Sequence, residues 1–238
     1  MKVDIFIPCF IDQIYPNIAF SVIKILKKLN IEVNYPAKQT CCGQLAFNSG
    51  YWKEAKNVAE KFIYDFSHDR PIVCPSASCA GFIRNYYPDL FKDSILFENS
   101  KKLASNIYEL TDFLVNYLNI TDLNSTFNKK VTYHSACTAL REYGIKKEPV
   151  ILLQNVKDIE LVMMDDNDTC CGFGGTFSVK NNSISSAMAQ QKINNAVKTG
   201  AEYIVSTEAS CLINLDGYIK KNKLDIKIIH IADILSQF

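Results

Sequence analysis

The chain has 238 residues, 26 basic and 25 acidic side chains for a formal charge of +1, and 48% hydrophobic residues. That length admits one large domain or two small ones with a real core. The balanced, interspersed charge gives no footing for a nucleic-acid or anionic-membrane surface, and no apolar run reaches the length of a bilayer span. The opening MKVDIFIPCF has an acid within its short apolar run and no small-residue cleavage site, unlike a signal peptide. The chain therefore reads as cytoplasmic, where thiols stay reduced and a patterned cysteine set points to metal or redox chemistry before disulfides.

In chain order, a β-rich run, VDIFIPC at 3–9, ends at Cys9. Ile18, Val22, Ile25, Leu26 and Leu29 then recur at three- and four-residue steps, one face of a helix. A second strand is predicted at 31–36, followed at once by Cys41-Cys42-Gly43. Ala55, Val58, Ala59, Phe62, Ile63 and Phe66 form the buried stripe of a longer helix, and PIVCP at 71–75 is a third strand leading to Cys79. The polar stretch 119–130 reads as a linker. The order then repeats: KVTYHSAC at 130–137, a strand at 159–164, Cys170-Cys171-Gly172, a helix carrying Ala189, Ile193, Ala196 and Val197, and EYIVST at 202–207 before Cys211. A fourth strand is clear only near the end, at 226–231.

Eight of the nine cysteines thus fall into two sets of four in one order. The offsets between sets are 128, 129, 129 and 132 residues, the mark of a duplicated unit. Strands alternating with helices imply parallel pairing through right-handed crossovers. The expected fold is α/β with two pseudo-symmetric lobes, residues 1–119 and 131–238, each a small parallel sheet flanked by helices, with the linker at about 120–130. In such sheets ligands bind at the carboxyl ends of the strands, where each cysteine group lies.

Four thiolates, Cys9, Cys41, Cys42 and Cys79 in one half and Cys137, Cys170, Cys171 and Cys211 in the other, match the ligand count of an iron–sulfur cluster or a structural zinc. Zinc ribbons use local C-x-x-C pairs, and none is present. Adjacent cysteines point apart, which suits a polynuclear cluster reached from different sides. Gly43 and Gly172 let the backbone turn tightly toward an inorganic core, and CCGFGG offers further backbone N–H donors. His134, three residues before Cys137, is placed to tune a cluster or move a proton, or simply to bond backbone at a strand end. Lys38, Arg141 and Lys180 lie near the cysteine loops. Cys74 has no partner in the repeat, because Ser206 stands at its equivalent. No Rossmann fingerprint, Walker loop or Ser–His–Asp signature is present.

KQTCCGQLAFNSGYWKEA, PSASCAG, YHSACTALREYGIKKEP, DTCCGFGGTFSVKNNSIS, SCLINLDG and IIHIADIL together resemble the cysteine-rich CCG-domain family over Met1 to Phe238. The likeness is strongest to its lactate utilization protein A branch. It is more distant to the CCG-bearing subunit of heterodisulfide reductase and to the glycolate oxidase iron–sulfur subunit. The resemblance implies one or two iron–sulfur clusters of the [4Fe–4S] type per chain, ligated by the eight cysteines. It implies a subunit of an L-lactate-oxidising complex, passing electrons from the conversion of this 2-hydroxyacid to pyruvate. Partner subunits would include a ferredoxin-type iron–sulfur protein, and any membrane attachment would be peripheral, at the inner face through those partners. A thiol–disulfide reductase component of the heterodisulfide type is the alternative. The heterodisulfide pattern ends each half in C-x-x-C. Here Ser76 and Glu208 stand where the extra cysteine would be, which favours four ligands per half.

Overall fold

The computed structural model describes residues 1–238. Eight short strands form two four-stranded sheets, all parallel. The first contains β1 (Lys2–Ile5), β2 (Glu32–Asn34), β3 (Ile72–Cys74) and β4 (Ile107–Glu109) in the order β2-β1-β3-β4. The second contains β5 (Lys130–Tyr133), β6 (Glu160–Leu161), β7 (Tyr203–Ser206) and β8 (Lys227–His230) in the order β6-β5-β7-β8. The repeat expected from the cysteines is thus a repeat of topology as well.

The strands are shorter than the apolar runs that predicted them. β1 stops at Ile5, and Cys9 already opens the helix Cys9–Ile14. IELVMM contributes only Glu160 and Leu161 to pairing. β4 had no clear sequence signal: it is three residues wedged directly behind the helix Phe97–Asn106.

The helical stripes hold with one exception: Val197, expected in the buried stripe of the second long helix, is exposed, because it stands one residue beyond buried Ala196 and turns off that face of the helix Asn182–Lys198. Ile18, Val22, Ile25 and Leu26 are buried on the helix Pro16–Lys28, and Ala55, Ala59, Phe62 and Ile63 on the helix Trp52–Asp65. Burying one such aliphatic or aromatic side chain is worth about 1.5–3 kcal/mol. The cores are shared between halves. One cluster of 31 buried residues runs from Phe6 to Ile226, and the other, of 26, from Val3 to Leu235.

Polar contacts also join the halves. Tyr143 donates to Asp112 Oδ2 at 2.6 Å and accepts from Arg84 Nη2 at 2.6 Å and from the Glu109 N–H at 2.9 Å. Gly81 makes this approach feasible, since a Cβ there would stand 3.3 Å from the Tyr143 nitrogen. The stretch 119–130 is tied down rather than loose. Ser125 Oγ donates to the Leu235 carbonyl at 2.6 Å, and the Phe127 N–H to the Lys157 carbonyl at 2.9 Å. No helix is long and apolar enough to cross a membrane.

Candidate metal centre

Each sheet delivers its cysteines at the carboxyl ends of its strands. Cys9 opens the helix after β1, Cys79 lies in the first turn of Ala77–Leu90 after β3, and Cys211 in the first turn of Ala209–Asn222 after β7. Cys137 likewise starts a helical turn after β5. Helix N-termini present unpaired N–H groups and a positive dipole end, so they favour thiolates and anionic centres.

The two CCG loops repeat one geometry. Gly43 and Gly172 both have φ +90°, and each donates its N–H to the first sulfur of its pair, Cys41 Sγ and Cys170 Sγ, at 3.3 Å. Both glycines lie against the following helix. A Cβ would come within 3.2 Å of the Ala55 carbonyl oxygen at Gly43 and 2.7 Å of the Ser185 carbonyl oxygen at Gly172.

The sulfurs form two chains in the same order. Cys9 Sγ is 4.0 Å from Cys41 Sγ. Its neighbours Cys42 and Cys9 pull Cys41 well below the ordinary thiol range, whereas Cys42, against Cys41 and Cys79, is pushed up. In the second half Cys137 and Cys171 pull Cys170 down, and Cys171, between Cys170 and Cys211, is pushed up. Cys211 is lowered to about 7, by the Cys171 thiol foremost and by His134 beside it. All eight cysteines line one cavity of about 120 Å³ between the halves. Phe10 and Phe173, which follow the first cysteine of one half and the CCG of the other, meet edge to face at 5.5 Å beside it.

This donor set fits a polynuclear cluster. Thiolates around a single zinc, at about 2.3 Å each, would stand under about 4 Å apart all round. Here only His134, Cys171 and Cys211 bring three ligand atoms within 4.8 Å of one another. The sulfurs otherwise follow one another in a chain, with backbone N–H donors on them, as suits an anionic iron–sulfur core.

Cys74 is fully buried on β3, with its thiol toward the Ser76 carbonyl at 3.5 Å, and does not line the cavity. Lys38, Arg141 and Lys180 are exposed and do not line it either. Three residues escaped sequence reasoning as functional groups: Ser76, Glu208 and Lys192. Glu208 is buried, and its carboxylate accepts from Ser76 Oγ at 3.1 Å, the Ser78 N–H at 2.9 Å and Ser210 Oγ at 3.0 Å. The two positions that lack the extra cysteine therefore bind each other across the halves. Lys192, 1% exposed, sits within the apolar stripe of the helix Asn182–Lys198 and donates its Nζ to the Asp166 carbonyl; burial pulls its pKa down, and the Cys171 thiol nearby opposes that. A charge inside that stripe was the available signal.

With these features in place, the chain belongs to the cysteine-rich (CCG) domain family, whose signature matches residues 3–84 and 131–216. Its full length is similar to lactate utilization protein A of Oceanobacillus iheyensis, 43% identical over 237 residues, 99% of this chain and 97% of the relative. Lactate utilization protein A 2 of Bacillus cereus (strain AH820) is 40% identical over 238 residues, 100% of this chain and 98% of the relative. Among solved structures, a hypothetical protein from Helicobacter pylori shares the fold, with a TM-score of 0.59 at 10% identity. That match covers 98% of this chain and 48% of the other.

Proposed function

We propose that this chain is an iron–sulfur subunit of a lactate-utilisation system, taking up electrons released when L-lactate is oxidised to pyruvate. The single observation that carries the reading is the convergence of eight thiols, in two equivalent groups, on one cavity. Cys9, Cys41, Cys42 and Cys79 would hold one cluster, and Cys137, Cys170, Cys171 and Cys211 the other. When bound, each cluster supplies one-electron chemistry. The kinship with lactate utilization protein A supplies the substrate class.

The lining of the cavity supports a division of labour. It contains no lysine, arginine or histidine, and Glu208 is its only charged side chain apart from the thiols. A hydroxyacid carboxylate entering here would meet negative charge without a counter-ion, which is costly in a partly buried site. The acid is therefore oxidised on a partner subunit, and this chain passes the electrons on to a partner with ferredoxin-type clusters. The residues of this chain hold the geometry. Glu208 ties the starts of the two cysteine-bearing helices together, Gly43 and Gly172 admit the loops, and Phe10 with Phe173 screens the cavity.

The test is genetic and biochemical. Deletion of the gene, in a strain with no other lactate dehydrogenase, abolishes growth on L-lactate, and lactate-dependent electron transfer by the purified partners requires this chain. Undiminished growth and transfer would refute the role and favour a thiol–disulfide reductase component.

A further inference from the structure

The two halves place the same thiols against different walls. Three residues before the first cysteine stand Phe6 in one half and His134 in the other. Seven residues after the carbonyl that meets each CCG glycine stand Phe62 and Lys192. In the first half these positions make an aromatic contact, Phe6 against Phe62 at 4.7 Å, extended by Phe66 and Tyr87. In the second half both are polar, and both are buried.

His134 is fully buried, and its Nδ1 lies 3.2 Å from the Asn167 carbonyl oxygen. A carbonyl oxygen only accepts, so Nδ1 is the donor there, and the tautomer that carries its proton on Nδ1 has a lone pair on Nε2. That atom faces the Cys211 thiol without a hydrogen bond of ordinary geometry, and the His134, Cys171 and Cys211 ligand atoms lie within 4.8 Å of one another. Metal-bound histidines characteristically donate their other ring N–H to a backbone carbonyl in this way. His230 provides the contrast. It is equally buried, yet its Nδ1 accepts from the Ala232 N–H at 3.2 Å, so its lone pair is used in capping a helix.

We infer that the second thiol group binds its metal through a mixed donor set, with His134 Nε2 acting as a nitrogen ligand beside Cys171 and Cys211, whereas the first group binds through sulfur alone. The inference rests on the proposal that both groups hold iron. His134 is a fifth donor in this half, so imidazole takes one position that a thiolate holds in the first half; that exchange raises the potential of an iron–sulfur centre, and the buried Lys192 cation acts in the same direction. The second centre is therefore reduced first.

The experiment is pulsed EPR on the anaerobically reconstituted, reduced full chain labelled with 15N-histidine, together with iron counts and a potentiometric titration. The expected result is a directly coupled imidazole nitrogen in the higher-potential signal. Cys171→Ser removes that signal, and Cys42→Ser removes the other. His134→Phe, which copies the first half, and His134→Gln, which keeps polarity should the first variant fold poorly, lose the nitrogen coupling. They lower that step by at least tenfold in its redox equilibrium, about 59 mV for one electron. Lys192→Met lowers the step and keeps the coupling. Iron in both groups without nitrogen coupling, or coupling that persists in both His134 variants, overturns the inference alone. A chain that takes up no iron overturns the iron–sulfur reading and this inference with it.

Discussion

The two halves of this molecule agree where sulfur is concerned and differ in what stands behind it. Strand order, the φ +90° glycines, the N–H bonds onto Cys41 and Cys170 and the order of the thiol chains repeat. Behind them Phe6 and Phe62 are exchanged for His134 and Lys192, and Ser76 faces Glu208. The donor set is held by backbone geometry, which a duplicated fold reproduces. The surroundings are set by single side chains, each free to change. Two equivalent cradles can therefore hold unequal centres.

The largest effect that could break this comparison is loss of metal. Cys42→Ser and Cys171→Ser each remove roughly half the bound iron if each half is one centre. Cys74→Ser, outside the cavity, leaves iron content unchanged. Iron analysis of the three variants checks both statements, and an equal loss in all three would contradict the assignment of four thiols per half.

The glycines come next. An alanine at Gly172 must take φ +90° and push its Cβ to 2.7 Å from the Ser185 oxygen and 3.0 Å from Met188 Cβ, whereas at Gly43 the nearest contact is 3.2 Å. Left-handed backbone alone costs about 1–2 kcal/mol. Gly172→Ala is expected to lose about 3 kcal/mol and Gly43→Ala about 1–2 kcal/mol, measured by chemical denaturation of the metal-free chain. Equal losses would show that the second cradle is no tighter than the first.

The smallest effect concerns a matched pair of helix caps. Glu109 at the end of β4 accepts from the Thr111 N–H at 2.6 Å, and His230 at the end of β8 accepts from the Ala232 N–H at 3.2 Å. Burial pushes Glu109 up from 4.5 to about 8 and His230 down from 6.5 to about 4, so both are neutral near pH 7. The folded Glu109 keeps a proton that the unfolded chain loses, so its contribution falls as pH rises from 4.5 to 8. The folded His230 refuses a proton that the unfolded chain takes, so its contribution falls as pH drops from 6.5 to 4. The two slopes oppose each other at acidic pH, and of this pair only Glu109 still acts above pH 6.5. Glu109 alone contributes a loss of about 2 kcal/mol between pH 6.5 and 8, opposed by the lowered thiols of Cys41, Cys170 and Cys211, so the slope of the Glu109→Gln variant should be more positive than the parent's by that amount. An unchanged slope in the variant would show that Glu109 does not set it.

The parallel α/β repeat was legible because thiols are rare and their spacing survives duplication. The strand β4 was not, because three residues after a helix carry too little periodicity to register. The shared cores were also hidden. Contacts such as Tyr143 with Arg84, 59 residues apart, depend on how two sheets face each other, and local patterns do not encode that. Lys192 was visible as a charge in an apolar stripe, but its meaning appears only beside Phe62. Ser76 and Glu208 stood out as departures from a cysteine pattern, and the structure gives them a partner in each other.

Everything above turns on whether the two four-thiol groups hold iron–sulfur clusters. The deciding experiment is an iron and acid-labile sulfide determination on the anaerobically purified chain, with an EPR spectrum after reduction. Iron and sulfide are expected in near-equal amounts, with a reduced-cluster signal that Cys42→Ser and Cys171→Ser each diminish. Zinc in place of iron, or a metal-free chain with no sulfide and no signal, would contradict the assignment.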